Sequence, residues 1–266
     1  MSYLPGVYIG KKKNGDLYYR SSITYRNKHI SLGSYSTESD AHQAYVEASN
    51  ILKDTTIKLE DYSSSHNIIP YDKWVMLHNF RDNGIYIKTP IYLGHRFFHY
   101  YLSNTCVLKF DVDDLFYYST HKIMKRGNHL FVSDFGMQVN ILSRYGIKNY
   151  SVIGKDFIFV NGDTTDFRYG NIQLVNKYHG VSKIYHKGTY LYITKIIIKG
   201  SNLVGRYTNE IEAAIAFNKA AQILWSKGIT RNYPLNYILD IDEIEYASIY
   251  NRVRISKRIR SYELQD

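Results

Sequence analysis

Arg20, flanked at alternate positions by Tyr18 and Ser22, is the side chain whose type and setting most invite chemistry. A guanidinium presents a rigid fork of donors, and alternate residues of an extended segment point to one side. Lys11, Lys12 and Lys13 precede it, Arg26 and Lys28 follow, and His29 and Ser31 stand two positions apart. Lysine ammoniums are flexible point charges, suited to phosphate contacts that set affinity and salt dependence; Arg20 is the candidate for reading a base edge. A solvated polar face of any β-meander would carry the same pattern. A second group, Asp156, Asp163, Asp166, His121 and His129, offers carboxylates and imidazoles of the kind that hydrolysis with a divalent cation requires. Isolated carboxylates in a turn, however, usually form the turn, and Asp163 suits that role. His95 and His99 have the spacing of one helical face but bring no third ligand. No residue is assigned to catalysis or to a metal, and no cofactor is expected.

The elements that would position Arg20 belong to a repeat. Gly6 to Leu52 returns in a second version as Gly180 to Leu224, and the later halves keep one offset: Gly33 matches Gly205, Tyr35 Tyr207, Ala41 Ala213, Tyr45 Phe217, Ala48 Ala220 and Leu52 Leu224. A shared spacing of this length marks an internal duplication. Each copy reads as three short strands and a helix. Leu17, Tyr19 and Ser21 alternate with Tyr18, Arg20 and Ser22, Asn14-Gly15 is a tight-turn pair, and Arg26-Asn27-Lys28 separates the next strand. Ser36 or Thr37 can cap a helix that begins with Glu38 and Asp40, and Ala41, Ala44, Tyr45, Ala48, Ile51 and Leu52 form its apolar stripe.

The run LGSYSTESDAHQAYVEAS resembles the "LGxFxTxxxAAxAYxxAA" run of the Apetala-two/ERF type of DNA-binding domain, and Arg231-Asn232-Tyr233-Pro234 after the second copy is similar to the Asn-Phe-Pro that often closes such domains. The resemblance implies that the sheet, not the helix, enters the major groove of double-stranded DNA. The face opposite the helix would then carry Tyr18, Arg20, Ser22, His29 and Ser31, with Lys11, Lys12, Lys13, Arg26 and Lys28 on strand ends and turns. The second copy breaks the pattern. Aligning Gly188 with Gly15 puts Leu191, Ile193 and Lys195 in the places of Tyr18, Arg20 and Ser22, and Leu203 in that of Ser31. An apolar face of this kind points to protein contact, here a homodimer formed through the second repeat, with Lys195 left for DNA. A register one residue away would instead turn Tyr190, Tyr192 and Thr194 outward.

Between the copies, VNGDTTDFRYGNIQLVN is similar to the closing motif "DHINGNxxDNRxxNLRLVT" of the HNH nuclease domain of homing endonucleases. Asn161-Gly162, Asp166, Arg168, Asn171-Ile172 and Leu174-Val175 match it. The Asp-His pair that the resemblance makes metal ligand and base falls on Ile158 and Phe159, the central Asn on Phe167, and the upstream His on Asn140; Asn171 alone survives. The apolar replacements predict that the former active site has become core.

A net charge of +10 favours a polyanionic partner, though basic proteins also bind acidic surfaces nonspecifically. The lone Cys106 excludes an intramolecular disulfide framework, and no signal peptide or long apolar span is evident, so a soluble intracellular protein without membrane contact is expected. The 28 tyrosines, with abundant Ile, Lys and Asn, suit an AT-rich coding genome such as that of a phage or large virus. At the C-terminus, acidic Asp240, Asp242, Glu243 and Glu245 precede basic Arg252, Arg254, Lys257, Arg258 and Arg260, an order that suits a helix macrodipole or an arm along phosphates.

The expected fold is α+β: two three-stranded-sheet-plus-helix units of Apetala-two/ERF type, over 1–60 and 179–238, flanking a degenerate HNH, ββα-metal-like domain over 61–178, with a basic-ended helix over 239–266. The expected function is sequence-specific binding of double-stranded DNA without catalysis, as a transcriptional repressor or other regulator. Arg20, the lysines and Arg252, Arg254 and Arg258 would make the contacts. An active nicking endonuclease with a displaced metal site and a protein-interaction factor are the alternatives.

Overall fold

The structure is a computed structural model that describes residues 4–149 and 151–263. In the first repeat, β1 (Val7–Lys11), β2 (Leu17–Tyr25) and β3 (Lys28–Tyr35) form an antiparallel meander. Arg26 and Asn27 close the second hairpin with φ of 45° and 60°, the pair of positive dihedrals that lets a two-residue turn follow strand twist. Register shifts between Ser21 and Ser22, where Ser21 faces Gly33 but Ser22 faces Ser31. That bulge leaves Leu32 as the extra residue on β3. α1 (Glu38–Lys53) is capped by Thr37, whose side chain accepts from the Asp40 N–H, and it buries Ala41, Ala44, Ala48, Ile51 and Leu52.

α2 (Tyr71–Asn83) follows, ended by Gly84 in the left-handed conformation. Its Trp74, Leu77 and Phe80 join Ile23, Ile30, Leu32, Ala48 and Ile51 in one hydrophobic cluster. The expected boundary at residue 60 therefore falls within a shared core. A second meander, β4 (Ile91–Leu93), β5 (Phe97–Ser103) and β6 (Cys106–Asp111), leads into α3 (Leu115–Thr120) and a third, β7 (Met124–Arg126), β8 (His129–Asp134) and β9 (Met137–Asn140). β10 (Phe157–Phe159) and β11 (Ile172–Leu174) pair as a two-stranded sheet. A ββα arrangement needs a helix beside such a pair. Between Thr120 and Glu210 the only helical segments among the described residues are short 3₁₀ turns.

The second repeat rebuilds the first as β12 (Val181–His186), β13 (Thr189–Ile197) and β14 (Ser201–Tyr207), followed by α4 (Glu210–Ser226) with Asn209 as cap. Its register shifts between Thr194 and Lys195, the counterparts of Ser21 and Ser22. Both copies also place a positive-φ glycine against an aromatic ring of the helix: Gly6 lies under Tyr45 and Gly180 under Phe217. The duplication thus extends to backbone irregularities.

α5 (Glu243–Arg252) and α6 (Lys257–Arg260) are two helices where one was expected. The residues between them run extended, with Val253 and Ile255 buried beside Ile249 and Ile259 in the α4 core. Ser256 donates its N–H to the Val204 carbonyl at 2.8 Å and its hydroxyl to the Leu203 carbonyl at 2.8 Å, along β14. This segment is consequently not a free arm. The chain as a whole is mixed α and β, with six helices among the described residues. It divides into two compact units, one running through Gly146 and including Phe159–Ile172, the other comprising Ile147–Ile158 and the chain from Gln173 on.

Candidate nucleic-acid interface

Pairing fixes which side chains of the first sheet face away from α1. Tyr8 stands across from Arg20, Gly10 from Tyr18, Ser34 from Arg20, Ser31 from Ser22 and His29 from Thr24. Tyr8, Arg20, Thr24, His29, Ser31 and Ser34 are exposed, as are Lys11, Lys12 and Lys13 at the neighbouring turn. The Tyr18 ring lies flat across the adjacent strand, because a side chain at Gly10 would fall inside that ring. Its hydroxyl accepts a hydrogen bond from Arg20, whose guanidinium carbon sits 5.2 Å from the ring centre. Arg20 is thereby held over the face with donors still open. Lys11, Lys12 and Lys13 border an open groove with Tyr18, Ser34 and Ser36.

Three expected residues are not free on this face, although Arg26 and Lys28 keep their expected places in the turn and at the strand end. Ser22 is on the expected face but only 8% exposed, because its short side chain sits on the central strand at the bulge. Lys28 has the parity of Tyr25, on the helix side, and its ammonium lies 5.6 Å from the centre of the Tyr86 ring. Arg26 stacks on Tyr25 and lies beside Gly84, at the end of α2. Tyr8, Thr24 and Ser34 were not anticipated on this face. Plain alternation continued from Ser22 reaches Thr24, but Ser34 is turned outward by the Leu32 bulge.

In the second sheet Leu191, Ile193, Lys195 and Leu203 occupy the corresponding face, the aliphatics half-buried and Lys195 exposed. Thr194 is buried and donates its hydroxyl to the Ala213 carbonyl at 2.8 Å, and Tyr192 packs on the α4 core, which excludes the alternative register. Arg252, Arg254 and Arg258 are exposed; Arg252 is bonded to Glu212 at 3.0 Å.

Between the repeats, Phe159 and Phe167 are buried as expected of the replaced positions, whereas Ile158 is only half-buried. Phe167 stacks on Phe110 with ring centres 5.4 Å apart and meets Phe159 edge-on at 5.6 Å. Asn171 is a buried bracket. Its carbonyl oxygen accepts the Asn161 N–H at 2.8 Å, and its amide donates to the Asp166 carbonyl at 2.8 Å. Asp163 forms the turn, accepting from the Thr165 N–H and hydroxyl. Asp156 accepts the Val152 N–H and the Asn176 amide. Among the described residues no three His, Cys, Asp or Glu side chains gather as a metal site. His99 lies on β5 with His95 just before it, so their spacing is not that of a helical face.

Asp166 is 2% exposed and accepts from Arg168 at 2.9 and 2.6 Å. These bonds hold its carboxyl below the ordinary value. A carboxyl depressed by folding contributes stability fully present above its unfolded pKa, about 4, and lost as pH falls through the folded value. Urea midpoints measured down the acid range should therefore fall more steeply for the native chain than for Asp166→Asn. Parallel curves would show that the pair contributes nothing to acid sensitivity.

Comparison with protein-family models, curated proteins and solved structures returned no match. No described helix is long and apolar enough to cross a membrane.

Proposed function

We propose that the chain is a sequence-specific, non-catalytic double-stranded-DNA-binding protein derived from an HNH homing endonuclease. It acts by occupying its site, as a transcriptional repressor or a related regulator. The observation that carries this reading is the exposed face of the first sheet, where Tyr18 steadies Arg20 beside His29, Ser31 and Ser34, bordered by three consecutive lysines. A two- or three-stranded sheet fits the major groove, where a fixed guanidinium reads base edges and mobile ammoniums meet phosphates. The second copy, whose matching face is aliphatic, serves protein contact and self-association. The apolar filling around Phe159 and Phe167 supports loss of the nuclease chemistry.

The test is selection of bound fragments from a random duplex pool, followed by affinity measurement across salt. Arg20→Ala should cost about 1–3 kcal/mol and relax preference at one position, while Lys12→Ala should weaken all sequences alike and lower the salt slope by about one. Failure to enrich any duplex, or affinity indifferent to salt and to Arg20→Ala, would refute the proposal.

A further inference from the structure

The second unit contains a cleft of about 510 Å³ at the start of β12 and the end of β13. Lys148, Lys155, Lys195, Arg231 and His179 line it. Among the described residues none of the four lysine and arginine side chains has an acidic partner. The carboxylate in the wall, Asp156, is already occupied by the Val152 N–H at 2.8 Å and the Asn176 amide at 3.1 Å.

We infer that this cleft binds a phosphate group, held by Lys148, Lys155, Lys195 and Arg231. Cations drawn from separate stretches of chain into one concavity repel one another, and an anion placed among them replaces repulsion with attraction. His179 and Lys148 are close enough for the lysine's charge to act on the imidazole. Burial lowers the pKa of both, and the Lys148 charge lowers that of His179 further. The volume suits a group of nucleotide size. Two sources share this chemistry: the backbone of the duplex that the first sheet engages, and a free nucleotide or phosphate. The first source rests on the function proposed above; the second does not.

The experiment uses the full chain with Lys148→Gln, Arg231→Gln and the double variant. Inorganic phosphate is compared with chloride at equal ionic strength in thermal unfolding, and binding of the selected duplex is followed across salt. If the duplex supplies the phosphate, the double variant keeps its sequence preference, and the slope of log affinity against log salt falls by about two. If a free phosphate does, inorganic phosphate raises the melting temperature of the native chain and not that of the double variant, with the slope unchanged. A double variant that alters neither readout overturns the inference. Should that variant fail to fold in chloride alone, Lys195→Gln replaces it and is judged by the same two readouts, its expected slope change being about one. A native chain that binds no duplex refutes the DNA reading, while phosphate-dependent melting still decides the cleft.

Discussion

Gly180→Ala is expected to destabilise the second unit by about 3–5 kcal/mol, combining a strained dihedral with overpacking. Gly180 has φ of +73°, and a methyl there would strike the Phe217 ring and stand 2.6 Å from the Lys195 carbonyl oxygen. The ring belongs to the α4 core, and the carbonyl belongs to the backbone of the neighbouring strand, so neither can withdraw cheaply. Gly188 supplies the control. Its φ is +82°, but nothing lies within 4 Å of the position a methyl would take, so Gly188→Ala should cost only the dihedral, about 1–2 kcal/mol. Urea unfolding of both variants measures the difference. Equal losses would mean that the glycine-on-ring contact is dispensable and that its recurrence at Gly6 and Tyr45 has no packing cause.

Asn171→Ala should cost about 2–4 kcal/mol, because it orphans the Asn161 N–H and the Asp166 carbonyl in a buried turn. Asn171→Asp should also destabilise, since a carboxylate would replace the amide that donates to the Asp166 carbonyl. Duplex affinity of the folded fraction should not change. This separates a residue that holds a loop from one that serves catalysis. If the native chain nicked plasmid DNA with magnesium or manganese and Asn171→Ala abolished nicking without loss of stability, Asn171 would be catalytic and the non-catalytic reading would be wrong.

What could be read in advance followed from local chemistry. The turn at Asn14-Gly15, the Thr37 cap and the alanine stripe of α1 each depend on neighbours within a few residues, and the duplication supplied an independent check on register. α2 was not legible because Trp74 to Arg81 is buried on every side, which leaves no polar stripe to reveal a helical period. The shielding of Ser22 and the outward turn of Ser34 depend on a bulge that alternation cannot announce. The limits at residues 60 and 238 fall inside shared apolar clusters, because α2 and the α5–α6 segment supply side chains to the sheets before them, a property of tertiary packing. On the exposed face of the first sheet, the positions of Arg20 and of Lys11, Lys12 and Lys13 were legible from charge and parity. The tyrosine that steadies Arg20 was legible as a neighbour, but its role depends on the bare backbone of Gly10 in the next strand.

The Ser256 contacts along β14 have a further consequence. A sheet margin left open is a template on which any extended chain can add itself, and such growth has no built-in stopping point. By setting Ser256 against that margin, the polypeptide uses its own tail as a selvedge at Leu203 and Val204. An extended chain arriving at this stretch of β14 finds the Leu203 and Val204 carbonyls already taken by Ser256.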